Sequence, residues 1–343
     1  MTAPGDLRTV DYHTGGEPFR IVVQGAPALE GTTVRERREH ARTSPEAERV
    51  RTLLCHEPRG HADMYGCFLV PPDDDGADLG VVFWHKDGYS TACGHGTIAL
   101  GVWAVRSGRV AVDPDGDPDG DTDVVIDVPS GRVTARVRMT GGAVESVAFR
   151  NVASYVLGRG VPLELAGGRV EVDVSYGGAI YASVPASAFG LQVTPEHYTD
   201  LIRAGREVKW ALEATDWARH RSDPRLSGVY GTILYDDLGQ GPDGPHQRNV
   251  TVFADGQVDR SPCGSGTSAR VPLLVADGLL GPGQTLVHDS IVGTRFTARV
   301  LEETDCDGVA AVVPEVRGMA YRTGEHVFVQ EHGDPVGTGF VLR

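Results

Sequence analysis

Cys93-Gly94-His95-Gly96-Thr97 and Cys263-Gly264-Ser265-Gly266-Thr267 are nearly the same five residues, met once in each half of the chain. Each opens a run that reads as a helix: Ile98 to Val105 after the first, Ser268 to Val275 after the second. A cysteine at a helix N-terminus lies among N–H groups without intrahelical acceptors, at the positive end of the dipole. That setting favours thiolate over thiol and predicts a lowered cysteine pKa. One such element points to a nucleophile or a base. Two point to a symmetric site with a cysteine on each face of one substrate. Pro272 counts against the second helix, because a proline beyond the first turn is expected to kink it.

Around these segments the pattern is strands, helix, strands, twice over. Val10 to Val23 reads as two strands about the turn Thr14-Gly15-Gly16-Glu17-Pro18. Ser44-Pro45 starts a helix to about Leu54, with serine as N-cap and proline at the first helical position. Cys67 to Val70 and Val81 to Trp84 read as buried strands. Strands resume at Val124 to Val128, Arg132 to Met139 and Val144 to Val156, then at Val170 to Val174 and Ile180 to Val184. The longest helical pattern runs from Pro195 to about Arg219, and further strands follow at Val229 to Leu234, Arg248 to Phe253 and after Leu286. The repetition predicts a duplicated α/β unit. Asp113 to Asp123 is a low-complexity acidic run, expected to be an exposed loop; it lacks the spacing of an EF-hand calcium site.

Composition narrows the function. The 343 residues are 40% hydrophobic and 23% charged, as in ordinary globular proteins. Glycine, at 45 residues, is about twice its usual share, which implies many turns and close backbone approaches. A net charge of −15 argues against nucleic acid and anionic membrane surfaces, but not against a local site for a small acid. The N-terminus has no signal-peptide pattern and no apolar run approaches a membrane span, so a cytoplasmic location is expected. Five cysteines without a Cys-x-x-Cys pair read as free thiols. Of these, Cys55, Cys67 and Cys306 are expected to be buried apolar residues.

Two opposed thiols define a chemistry. A thiolate removes a proton from carbon on one face, and a thiol returns one on the other, which inverts that carbon. Glycines beside each cysteine let backbone N–H groups approach a carboxylate and stabilise the enolate-like charge formed when Cα loses its proton. Asp259, four residues before Cys263, is placed to accept a charge-assisted hydrogen bond from a substrate ammonium, though Arg260 or Arg270 could instead neutralise it. No phosphate-binding loop, paired-histidine metal motif or dinucleotide fingerprint is present. Neither a cofactor nor a metal is therefore expected. His61 and Asp63 are open between a structural turn and residues that shape the pocket for the substrate ring, Glu17 and His13 read as structural, and Phe83, Trp84 and Tyr89 read as core rather than substrate wall. A non-catalytic amino-acid binder or a thiol redox sensor is the reading from another functional class.

At this point the chain resembles the proline racemase family, which includes hydroxyproline epimerases and trans-3-hydroxyproline dehydratases. The resemblance rests on Asp11 to Pro18, Glu57 to Gly66, Gly88 to Gly96, Tyr230 to Leu234 and Asp259 to Thr267, and so covers most of the chain. It implies a diaminopimelate-epimerase-like fold of two pseudo-symmetric halves, each a curved, barrel-like, mostly antiparallel sheet around a central helix. Residues 1–150, completed by 328–343, would carry Cys93, and residues 151–327 would carry Asp259 and Cys263. By matching motifs Cys93 and Cys263 become the acid/base pair, Gly94, His95, Gly264 and Ser265 the carboxylate cradle, and Asp259 the amine partner. The family uses neither metal nor pyridoxal phosphate, and a homodimer is a family-level expectation. Gly88-Tyr89-Ser90-Thr91 and Tyr230 to Leu234 look most like the dehydratases, which usually carry threonine where this chain has Cys263. Dehydration has no need of a second thiol to reprotonate the opposite face. The thiol at 263 therefore favours a racemase or 2-epimerase of proline or a hydroxyproline, with trans-3-hydroxy-L-proline dehydration as the alternative.

Overall fold

Two glycine-rich helices that are buried on every side need sheets all around them, and the fold supplies one curved sheet for each. The computed structural model describes residues 7–112, 119–306 and 308–342. The first half runs β1 (Leu7–Thr14), β2 (Glu17–Gln24), α1 (Val34–Thr43), α2 (Pro45–Cys55), β3 (Tyr65–Val70), β4 (Leu79–His85), β5 (Gly88–Tyr89), α3 (Gly94–Arg106), β6 (Asp121–Val128), β7 (Gly131–Thr140) and β8 (Ala143–Arg150). The chain continues through β9 (Ser154–Leu165), β10 (Gly168–Tyr176), β11 (Ile180–Pro185), α4 (Tyr198–Glu213), β12 (Val229–Gln240) and β13 (Pro245–Phe253). It ends with β14 (Gln257–Asp259), α5 (Gly264–Ala276), β15 (Leu286–Ser290), β16 (Arg295–Cys306), β17 (Val309–Gly318) and β18 (Ala320–Phe328).

Strand pairing shows the duplication directly. β2 is parallel to β3 as β11 is to β12, and β4 is parallel to β6 as β13 is to β15. The other ladders between named strands are antiparallel, among the described residues. In each half a very short strand, β5 or β14, leads into the cysteine segment and its helix. The second sheet closes on itself in the order β17, β9, β10, β11, β12, β13, β15, β16 and back to β17. The first follows β18, β1, β2, β3, β4, β6, β7, β8 and reaches the end of β17, which passes through Met319 straight into β18. One nearly continuous strand, β17–β18, therefore belongs to both walls. Closure leaves few free strand edges.

α3 packs against β1, β2, β6, β7, β8 and β18, and every residue from Gly94 to Val105 is buried. α5 packs against β9, β10, β11, β16 and β17 and is buried from Gly264 to Leu274. It continues through Pro272 to Ala276, so the proline that counts against this helix does not end it. The strands enclosing α5 hold it across the missing N–H. Ser44 caps α2 as the sequence predicts, its side chain accepting from the Ala47 N–H. The preceding helix α1 is not anticipated, although Thr33 and Glu36 form a reciprocal capping box at its start. The single strand expected over Val144 to Val156 breaks at 151–153 into β8 and β9. Residues 113–118 of the acidic run lie outside the described residues. Asp121 and Asp123, its last part, begin β6 and pair with Arg138 and Arg136. No helix among the described residues is long and apolar enough to cross a membrane.

The two central helices meet end to end with only glycine between them. A Cβ added to Gly264 would stand 2.7 Å from Gly94 Cα. Gly264→Ala is expected to lower stability by about 1–3 kcal/mol through overpacking. Gly167→Ala, with open space around that residue, should stay within about 0.5 kcal/mol of wild type. Thermal unfolding of both variants checks the pair; equal behaviour would contradict the contact.

Candidate active site

The contact of Gly94 with Gly264 puts the two repeated segments face to face. A Cβ on Gly94 would lie 2.6 Å from Gly264 Cα and 2.7 Å from the Ser265 nitrogen. The next glycine in each repeat lies beneath a sulfur: a Cβ on Gly96 would approach Cys93 Sγ to 2.8 Å, and one on Gly266 would approach Cys263 Sγ to 3.0 Å. The spacing Cys-Gly-x-Gly thus has two steric reasons, one for each glycine. Cys93 is the N-cap of α3, its Sγ accepting from the Gly96 N–H at 3.3 Å. Cys263 precedes α5 with φ at 63°, a conformation that persists in a non-glycine residue only where the surroundings hold it. Here its N–H donates to Ser261 Oγ at 3.0 Å.

Asp259 ends β14 and reaches the same place. Its Oδ1 accepts from the Ser261 N–H at 2.8 Å and from Ser261 Oγ at 2.7 Å, while Oδ2 faces His95 Nδ1 at 3.8 Å. The arginines that could have neutralised it are engaged elsewhere. Arg260 Nη2 pairs with Asp63 Oδ2 at 2.7 Å, and Arg270 Nε donates to Gln247 at 3.0 Å. The first half grips this strand through several bonds. Asp63 Oδ1 accepts from the Val258 N–H at 3.1 Å, Glu17 Oε2 from the Arg260 N–H at 2.8 Å, and the Ala62 carbonyl from Gln257 Nε2 at 2.7 Å. Asp63 and Glu17 are therefore supports of the Asp259 segment, and His13 receives the Gly16 N–H in the turn above.

Aromatic rings surround the thiols. His95 lies edge-on to Phe19 and Tyr65, with centroids 5.7 and 5.0 Å away, and its Nδ1 is 3.5 Å from Cys93 Sγ. Thr14 Oγ1 donates to the His95 carbonyl at 2.9 Å, which fixes the first turn of α3. On the other side Tyr181 Oη is 3.9 Å from Cys263 Sγ and 2.7 Å from Ser265 Oγ. Tyr230 stacks on Phe253 at 5.5 Å and meets Tyr181 at the same distance. The structure thus brings together Cys93, Gly94, His95, Asp259, Cys263, Gly264 and Ser265, all singled out from sequence. It adds Tyr65, Tyr181, Tyr230, Phe253 and Ser261. Tyr65 and Tyr230 lie inside informative motifs, but Tyr181, in a plain β-strand, carries no local signal. Phe83, Trp84 and Tyr89 are buried core residues.

Electrostatics reverses one expectation. The helix ends do not leave the thiols acidic, because Cys93 and Cys263 are only 5% and 4% exposed. Burial pushes both thiols well above the ordinary value, and the Asp259 carboxylate pushes both further. The Gly96 N–H opposes this at Cys93 without overcoming it. Burial also lowers the His95 pKa, so its imidazole is neutral at pH 7. Cys55 and Cys67 are buried and far from ionising, with Cys55 pushed up to about 12 by burial. Cys306 is only partly buried, at the end of β16 where one face meets solvent.

The chain is similar to known proteins over nearly its whole length. The proline racemase family profile matches residues 9–341. A 3-hydroxyproline 2-epimerase of Burkholderia multivorans is 44% identical over 346 residues, covering 100% of both chains. A trans-3-hydroxy-L-proline dehydratase of Azospirillum brasilense is 44% identical over 344 residues, again covering 100% of both. The crystal structure of a hydroxyproline epimerase from Agrobacterium vitis, with bound trans-4-hydroxy-L-proline, superposes with a TM-score of 0.89. It is 29% identical and the match covers 98% of this chain and 96% of that one.

Because Asp259 raises both thiol pKa values, Asp259→Asn is expected to lower them. The thiolate is the form that alkylates, so modification of Cys93 and Cys263, resolved by mass spectrometry, should begin at lower pH in the variant. An unchanged pH profile would contradict the charge coupling.

Proposed function

The chain belongs to the proline racemase family, and from that membership we propose that it inverts the α-carbon of proline or a hydroxyproline by moving protons between Cys93, Cys263 and Cα. The observation that supports the reading is a thiol at the corresponding position of both repeats, with the glycines that follow them, Gly94 and Gly264, in contact. The substrate carboxylate would lie at the junction of α3 and α5. The first-turn N–H groups of Gly94, His95, Gly264 and Ser265 have no intrahelical acceptors, and two positive helix ends converge there. The ring nitrogen would donate to Asp259 Oδ2, which no arginine neutralises among the described residues. Both contacts draw electrons from Cα and stabilise the enolate that forms on proton loss.

Binding would also prepare the base. Burial and the Asp259 charge both favour the neutral thiols. A substrate ammonium beside Asp259 cancels that charge and lowers the cost of forming a thiolate. The thiolate on one face takes the Cα proton as the thiol on the other face delivers its own. The product leaves with inverted configuration and the two sulfurs exchange roles. All of these groups come from the chain itself, so the proposed reaction runs without cofactor or metal.

The second reading, dehydration of trans-3-hydroxy-L-proline, is favoured by the names of several relatives. It requires one base at Cα and departure of the 3-hydroxyl, and it makes no demand on Cys263. The two readings separate in deuterium oxide. With proline, trans-3-hydroxy- and trans-4-hydroxy-L-proline as substrates, Cys263→Ser is expected to slow inversion with label uptake by at least about 10²-fold, the contribution of a positioned acid or base. Unchanged inversion would defeat the two-thiol reading. Cyclic imine formation that survives in Cys263→Thr, with no inversion by wild type, would establish the dehydratase instead.

A further inference from the structure

The two central helices differ at the ends that point away from the thiols. The last turn of α3 holds Trp103 and Arg106, where the matching places in α5 hold Leu273 and Ala276. Each end borders a cavity. The one beside α5 is about 370 Å³ and mostly apolar, with Pro272, Val275 and Val312 in its wall. The one beside α3 is about 520 Å³, and its lining includes Val10, Tyr12, Trp103, Arg106, Arg322 and Glu325.

The first sheet is open at this place. β17 pairs with β8 as far as Gly318 and Val147, and past that point β18 pairs with β1 alone among the described residues. The far end of α3 borders the opening together with β1 and β18. The floor is aromatic and buried: Tyr12 and Trp103 are 3% and 8% exposed. The rim, Arg106, Arg322 and Glu325, is charged and exposed, and Arg322 Nη1 pairs with Glu325 Oε1 at 2.8 Å. One carboxylate thus stands among two guanidinium groups. Burial raises the Tyr12 pKa and the charges of Arg106 and Arg322 oppose it, which places both cations near the phenol.

A basic residue in the last turn of a helix favours the dipole without any ligand. The repeat shows that the fold does not require one, because α5 ends with no basic residue and fills the place of Trp103 with leucine. What the α3 end adds is a combination. A planar cation with paired donors, a phenol hydroxyl and two aromatic faces share one cavity of ligand size. In a chain of net charge −15, a cationic rim over an aromatic floor selects a small anion with an apolar body.

We propose that this cavity is a second binding site, for a small organic carboxylate with an apolar or aromatic body. The carboxylate pairs with Arg106 and accepts from Tyr12 Oη, and the body lies against Trp103 and Val10. Arg322, tied to Glu325, closes the rim. From Gly94 to Arg106 the helix spans about 20 Å, so a ligand here leaves the thiols uncovered. The site stands whether or not those thiols act on a proline-type ring.

The probe is para-fluorobenzoate, followed by titration calorimetry and fluorine NMR. Wild type should bind it, and Arg106→Ala should weaken binding at least about tenfold, the worth of a hydrogen bond to a charged group. That variant copies the residue of α5, so the helix should stay folded, which thermal unfolding checks. Arg322→Ala, at an exposed position, should also weaken binding and serves if Arg106→Ala unfolds. The uncharged para-fluorobenzamide should bind at least about tenfold more weakly than the acid. If the helix N-termini beside the thiols also take the probe, wild type shows two binding events and Arg106→Ala loses one of them. Binding unchanged in a folded Arg106→Ala would place the probe elsewhere and overturn the proposal. No saturable binding by wild type would overturn it too. So would inorganic phosphate bound as tightly as para-fluorobenzoate, because the aromatic floor would then recognise nothing.

Discussion

Everything in this molecule is arranged around the abutment of two helix N-termini. α3 and α5 point their positive ends at each other with two glycine backbones in contact, an arrangement that neither helix would adopt alone. The sheets enforce it. β17 pairs with β8 of the first sheet and with β9 and β16 of the second, then runs on into β18 against β1. The halves therefore share a strand as well as a surface. Side chains of the first half, notably Asp63 and Glu17, hold the strand that presents Asp259 in the second. The site exists only when both halves are folded and docked.

The electrostatics of the site are matched to an amino acid. Two converging helix ends direct N–H groups without intrahelical acceptors at one place, and among the described residues no arginine pairs with Asp259, whose Oδ2 faces His95. Both thiols are neutral because they are buried beside that carboxylate. An amino acid is complementary to all three features, with its carboxylate at the helix ends, its ammonium at Asp259 and its α-carbon near the sulfurs. The same ligand that fills the site changes its protonation chemistry. Glu17 is part of this balance: burial first, and then the Asp259 charge, raise its pKa well above the usual carboxyl value. The same two causes favour the protonated form of Glu17, whose Oε2 holds the Arg260 N–H.

Local chemistry was legible in the sequence and long-range pairing was not. The two Cys-Gly-x-Gly-Thr segments show their helix starts, their need for glycine and their equivalence, because all three follow from neighbouring residues. Asp259 was readable from its distance to Cys263. The choice of Asp63 and Gln247 as partners for Arg260 and Arg270 was not, since it is made across the fold. Tyr181 was invisible for the same reason: nothing in its strand sequence places it beside Cys263 Sγ. The thiol shift has the opposite sign to the one a helix end implies, because a helix end is a local feature and burial is a tertiary one. The kink expected at Pro272 failed to break α5 because enclosure by five strands outweighs one missing hydrogen bond.

The most direct measurement of the two-sided geometry is an isotopic one on a single early time course. L-substrate is converted in deuterium oxide to a small extent, and product and recovered substrate are analysed separately by mass spectrometry. Distinct donors on opposite faces predict one deuterium at Cα in the D-configured product and almost none in the remaining L-substrate. Label appearing equally in both from the start would mean that one group serves both faces, and the opposed-thiol account would be wrong.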